Sequence, residues 1–188
     1  MPNWCANKIK IKGHAKTVKQ LWEDAVENKG LLSAIAPLPK ILEGTTAPTP
    51  KDIDPELQQK LVKETGFDNW YDWQVAHWGV KWDVSTENLK FKDHGDGNAT
   101  IEGWFDSAWC PPITAYEKLC ERDGISGLQA FYEEPNMCFV GFWDSESGDN
   151  FYDYADCTSK NFRDTIPQYI ISHFNLSERF AEFEEDEE

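Results

Sequence analysis

Polar and apolar residues alternate near the start of the chain, with Asn7, Ile9 and Ile11 against Lys8, Lys10 and Lys12. A period of two predicts a strand over residues 4–12 with one buried face, and Gly13 ends it. The period then changes. In "HAKTVKQLWEDAVENKG" Val18, Leu21, Trp22, Ala25 and Val26 recur at helical spacing, and Gly30 stops the run. "LLSAIAPLPKIL" is apolar but broken by Pro37 and Pro39, which predicts a packed loop, and "EGTTAPTPKDIDP" is loop by composition. A helix is expected from about Asp54, with Pro55 in its first turn and Leu57, Leu61 and Val62 inward. "NWYDWQVAHWGVKWD" holds Trp70, Trp73, Trp78 and Trp82, and predicts a short helix closed at Gly79.

Strand patterns return in "VSTENLKFKD" and "NATIEGWFDSAW", either side of the turn "HGDGN". "CPPITAYEKLCERDG" reads as a helix with prolines at its start and Gly124 at its end. "GLQAFYEEPN", "MCFVGFWDSES" and "DNFYDYAD" predict a meander of strands. "NFRDTIPQYIISHF" predicts a closing helix interrupted at Pro167, followed by a loose acidic tail.

The order strand, helix, strand, strand, helix, strand predicts an α+β fold, a ferredoxin-like split βαβ sandwich. One domain is expected over residues 1–160, with a helical insertion at about 31–82 and an extra hairpin at about 137–156. Residues 161–188 form the C-terminal helix and acidic tail. In this topology the first strand lies beside the third, and the third beside the second. Lys8, Lys10 and Lys12 then share a solvated face with Glu102 and Asp106, and Lys90 and Lys92 lie beyond them. Cross-strand pairs of opposite charge contribute roughly 0.2–1 kcal/mol each, so the lysines read as structural pairs and not as a nucleic-acid site.

Composition sharpens this picture. The 18 basic and 34 acidic residues leave a formal charge of −16. Six of the acids fall within Glu182–Glu188, so most of the excess lies in the body of the chain. Such a field repels nucleic acid and anionic membranes and attracts basic partners. The five cysteines show no CxxC spacing, and no apolar run opens the chain. The expectation is a cytoplasmic protein with free, packed thiols and no metal or other cofactor.

"MPNWCANKIKIKG", "WGVKWD", "FDSAWCPP" and "FYEEPNMCFVG", in that order, resemble the YubB-type ferredoxin-like family of phage and plasmid proteins. The resemblance covers residues 1 to about 155. It implies a ferredoxin-like fold and a mobile-element origin, and it supplies no activity.

Motifs for catalysis are missing. His14, His77, His94 and His173 are scattered, and no P-loop, HExxH or GxSxG occurs. Cys110 stands at a helix start, where a dipole can lower a thiol pKa, yet it and Cys5 read as packed thiols. "DSESGDNFYD" fails the EF-hand register, because Gly148 is the fifth residue from Asp144 and the twelfth is Ala155. The expectation is that the protein is not an enzyme.

Charge gives the functional lead. No Lys, Arg or His occurs from Asp123 to Ser159, a stretch with eight acids. Even spacing on predicted strands would set several of them on one face. The expected partner-binding residues are Glu133, Glu134, Asp144, Glu146, Asp149, Asp153 and Asp156. The function expected is that of a mobile-element accessory protein. It would bind and inhibit a basic host protein, such as a nucleic-acid-handling defence factor, as a nucleic-acid mimic. Direct nucleic-acid or membrane binding is not expected, and the oligomeric state is open. The alternative is a small-ligand binder or enzyme with a pocket at the Trp-rich insertion.

Overall fold

The first strand, β1, runs Trp4–His14, and its burial alternates as the sequence predicts. Asn7, Ile9 and Ile11 are buried, and Lys8, Lys10 and Lys12 are exposed. The computed structural model describes residues 3–185. After β1 come the helices α1 (Ala15–Glu27), α2 (Leu31–Ile35), α3 (Pro55–Thr65) and α4 (Trp70–Trp78). Then follow β2 (Leu89–Asp93), β3 (Asn98–Ala108), α5 (Ile113–Cys120) and β4 (Ile125–Glu134). The hairpin β5 (Phe139–Asp144) and β6 (Gly148–Asp153) leads into α6 (Phe162–Thr165), α7 (Gln168–Phe174) and α8 (Leu176–Glu185).

The strands form one six-stranded sheet in the order β2-β3-β1-β4-β5-β6, and every neighbouring pair is antiparallel. The fold is therefore mixed α+β. Helices α1 to α5 build the main core against one face, where Ile9, Ile11, Leu21, Ile101, Tyr116 and Leu128 are buried together. The segment α6 to α8 packs on the opposite face, where Val140, Phe162, Ile170, Ile171, Leu176 and Phe180 form a second cluster. Its sheet partners are Phe131 of β4, Val140 and Phe142 of β5 and Tyr152 of β6. Among the described residues, the β2-β3-β1 half of that face has no such cover, and this asymmetry positions the candidate site.

Four local expectations change. The segment 31–42 is not all loop. Leu31–Ile35 is helical because the Asp83 carboxylate accepts from the backbone N–H groups of Leu32 and Ser33, at 2.8 and 2.9 Å. These are the unpaired donors of a helix start, and a carboxylate 50 residues away in sequence leaves no local signal. In α1 Val26 is exposed, and in α3 Leu57 and Val62 are exposed while Leu61 is buried; each of these helices turns a narrower stripe inward than its apolar residues suggest. Lastly, the acidic tail is helical as far as Glu185, with residues 186–188 outside the described residues.

Other signals hold as local chemistry. Asp54 caps α3 by accepting from the Glu56 N–H, with Pro55 in the first turn. Gly79 ends α4 at φ +82°, a left-handed conformation that suits glycine. Pro167 separates α6 from α7.

Candidate binding groove

The uncovered half of the second sheet face is laid out in rows across the strands. Lys8 lies opposite Trp104 of β3 on one side and Phe131 of β4 on the other. The next row reads Lys90, Glu102, Lys10 and Gln129, and the one after reads Lys92, Thr100 and Lys12. The first two rows, with His173 of α7 as one wall, line a groove of about 700 Å³. Trp104 is 51% exposed. Phe131 is held differently, because the His173 ring stacks on it with centroids 3.8 Å apart.

This geometry corrects the expectation that the lysines are paired off. Lys10 and Glu102 do form an ion pair, at 3.1 Å. The contact with Lys10, aided by Lys92 and His94, holds the Glu102 carboxyl below its usual range. Lys8, however, stands between Trp104 and Phe131 in the register, and Lys12 and Lys92 stand opposite Thr100. The local balance on this face is basic although the whole chain is acidic. Burial, and then the charge of Lys8, push the His173 imidazole below its ordinary pKa. Trp104 was legible in the sequence: in "TIEGWFDSAW" it shares its parity with Glu102 and Asp106, so alternation sends it outward. Phe131 and His173 meet through tertiary packing alone.

The seven acids singled out from the sequence do not form one face. Glu134 is fully buried. Its carboxylate accepts from the N–H groups of Asn136 and Met137 and from the side chain of Asn3, so it organises the β4–β5 turn. Glu133 points to the opposite face and pairs with Arg179 of α8 at 2.8 Å. Asp144 is drawn into the β5–β6 turn, accepting from the N–H groups of Glu146 and Ser147. Asp149 accepts from the Tyr132 hydroxyl at 2.5 Å. Asp153 accepts from the Ala155 N–H at 2.8 Å. Adjacent residues in an extended chain point to opposite faces, which separates Glu133 from Glu134. What survives is an exposed edge with Glu146, Asp149, Asp153 and Asp156. On it Asp149 and Asp153 flank Phe151, itself 52% exposed.

The tryptophans of the Trp-rich insertion pack in the core or against a neighbouring ring. Trp73 and Trp78 of the Trp-rich segment are buried in the main core, and Trp78 donates to the Ala36 carbonyl at 2.8 Å. Trp82 lies against Trp4 with ring centroids 6.1 Å apart. Below them is a buried polar cluster. Asn7 donates to Ser107 Oγ at 2.8 Å and accepts from the Tyr116 hydroxyl at 3.1 Å. Ser107 donates to the Cys110 carbonyl at 2.6 Å, and the Cys110 thiol donates to the Gly79 carbonyl at 3.5 Å. Residues from "NWCAN", "WGVKWD" and "FDSAWCPP" thus meet at one end of the sheet. Burial raises the pKa of both Cys5 and Cys110, the opposite of what a nucleophilic thiol needs. Among the described residues, no helix is long and apolar enough to cross a membrane.

No family model matches the chain, and no curated protein matches it. Among solved structures it is similar to the crystal structure of a protein api92 from Yersinia pseudotuberculosis, of the family model DUF1281. The identity is 12%, the match covers 81% of this chain and 98% of that one, and the TM-score is 0.44.

Proposed function

We propose that this chain is a non-catalytic binding protein with a ferredoxin-like core, and that its working surface is the sheet groove, which takes a ligand carrying negative charge and a flat ring. The observation that carries this is a single row of the sheet. Trp104, Lys8 and Phe131 stand side by side there, with His173 stacked on Phe131. A cation in one row with two aromatic side chains matches a charged group attached to a ring, by ion pairing on one part and stacking on the other. The run β2-β3-β1-β4, with α1 after β1 and α5 between β3 and β4, supports the ferredoxin-like reading. The raised thiol pKa values support a binding role over a cysteine-based reaction. The likeness to YubB-type sequences supports a mobile-element origin. Titration with adenosine monophosphate, adenosine and inorganic phosphate, followed by tryptophan fluorescence, tests the reading. The nucleotide should bind best, and Trp104→Ala should abolish the signal. If none of the three binds at millimolar concentration, the groove is not a ligand site.

The exposed acids on and beside β6 favour a second reading, in which that edge binds and inhibits a basic host protein that handles nucleic acid in defence. Glu146, Asp153 and Asp156 reversed to Lys should then abolish low-salt capture of a basic protein from host lysate. Capture that survives the reversal removes this reading.

A further inference from the structure

We propose that the ligand of the groove is single-stranded RNA, laid across the β2-β3-β1 half of the sheet with bases on Trp104 and on the wall formed by Phe131 and His173. This rests on the reading of the groove as a site for a charged, ring-bearing ligand and adds what that ligand is.

Three features lead to it. First, the positive charge is extended. Lys8, Lys10 and Lys12 follow one another along β1 over roughly 13 Å, and Lys90 and Lys92 run alongside two strands away. A lone phosphate needs one such site, whereas a line of cations fits a chain of phosphates. Second, the aromatic surfaces lie on either side of that line. Trp104 is on β3 and Phe131 on β4, with β1 between them, so their backbones are about 10 Å apart. Bases of a single strand are free to turn onto the exposed Trp104 ring and against the His173–Phe131 pair, whose own stack occupies a face of Phe131, while bases in a duplex are stacked on one another and unavailable. Third, Asn88 and Gln129 line the same groove. An amide side chain both donates and accepts, which suits the 2′-hydroxyl that distinguishes RNA from DNA.

The net charge of −16 argues against nucleic acid only at long range. At physiological ionic strength the screening length is about 8 Å, so the contact is governed by the charges that line the groove, where Lys8, Lys10 and Lys90 outnumber Glu87 and Glu102. The distant acids slow encounter and disfavour binding outside the groove.

Fluorescence anisotropy with a labelled oligouridine of about twelve nucleotides tests the proposal, with the deoxy counterpart, adenosine monophosphate and polyglutamate as comparisons. The oligouridine should bind more tightly than all three. Log affinity should fall with log salt at a slope of about −2, from about −0.7 for each of three neutralised phosphates. Trp104→Ala should weaken binding about tenfold or more. Lys8→Ala should weaken it and flatten the slope by about 0.7, and Lys16→Ala, on α1, should change neither. All three are exposed in the folded chain, and equal thermal melts would confirm that the variants fold. Polyglutamate binding as tightly as RNA, or an unchanged Trp104→Ala variant, overturns the proposal by reducing the face to a polyanion attractor. Deoxyuridine binding as tightly as uridine overturns the assignment to RNA. Adenosine monophosphate binding with no gain for the oligonucleotide overturns this inference and leaves the broader reading of the groove standing. Binding of none of these ligands overturns both.

Discussion

The imidazole of His173 lies flat on the ring of Phe131, with planes within 6° of each other. The contact marks the border between the two halves of the sheet's second face. On one side α7 covers β4 and β5, with Tyr169 against Phe131 and Phe142. On the other side, among the described residues, the sheet is open.

That contact makes folding sensitive to mild acid. Burial and the charge of Lys8 depress the pKa of His173, so protonation favours the unfolded chain. The stability that neutral His173 confers is fully present above the unfolded value of about 6.5 and is lost progressively as pH falls below it. Urea unfolding at about pH 7.5 and about pH 5.5 should show the drop. His173→Phe keeps a ring on Phe131 and should reduce it; an equal drop in that variant would place the titration elsewhere.

Glu134 should behave as part of the framework and not as a contact residue. Glu134→Ala leaves the buried end of β4 without the acceptor that holds the Asn136 and Met137 amides. A loss of about 2 kcal/mol is expected from chemical denaturation. Glu134→Gln retains one carbonyl oxygen and should lose about half as much.

The Asn7 cluster should be more costly to disturb at its centre than at its rim. Tyr116→Phe removes one donor to Asn7 and should cost about 1 kcal/mol. Asn7→Ala strips the partner from both Tyr116 and Ser107 in a fully buried site, and about 3 kcal/mol is expected. Equal losses in thermal unfolding would show that the two groups are not joined as the geometry indicates.

Cys5 should resist thiol reagents in the native protein. It is fully buried, and burial, with Cys110 adding to it, raises its pKa. Modification should proceed only as fast as the chain unfolds. Rapid labelling of Cys5 under native conditions would show an opening that exposes the end of β1.

The alternation of Asn7, Ile9 and Ile11 with the lysines carried β1, its facing and its place in the sheet. It worked because a half-buried strand writes its environment into every second residue. The start of α3 at Asp54 and Pro55 and the glycine stop of α4 were legible for a similar reason, since the signal is local chemistry. The sequence failed where the decisive partner was distant. Asp83 makes α2 helical across 50 residues, and Arg179 neutralises Glu133 from α8. The acids between Asp123 and Ser159 looked like one surface because charge was counted along the chain. Adjacent residues, tight turns and burial then dispersed them. The groove was hidden by the same averaging, since a net charge of −16 says nothing about which charges share a face.

Strand β5 contributes to both sides of the sheet at once. Phe139 and Trp143 belong to the main core, while Val140 belongs to the cluster under α6 to α8. Two hydrophobic clusters on one chain often melt in separate stages. Here neither can come apart without moving a strand that the other depends on, so heat should meet a single cooperative transition, with no stage at which the C-terminal helices have left and an intact six-stranded sheet remains.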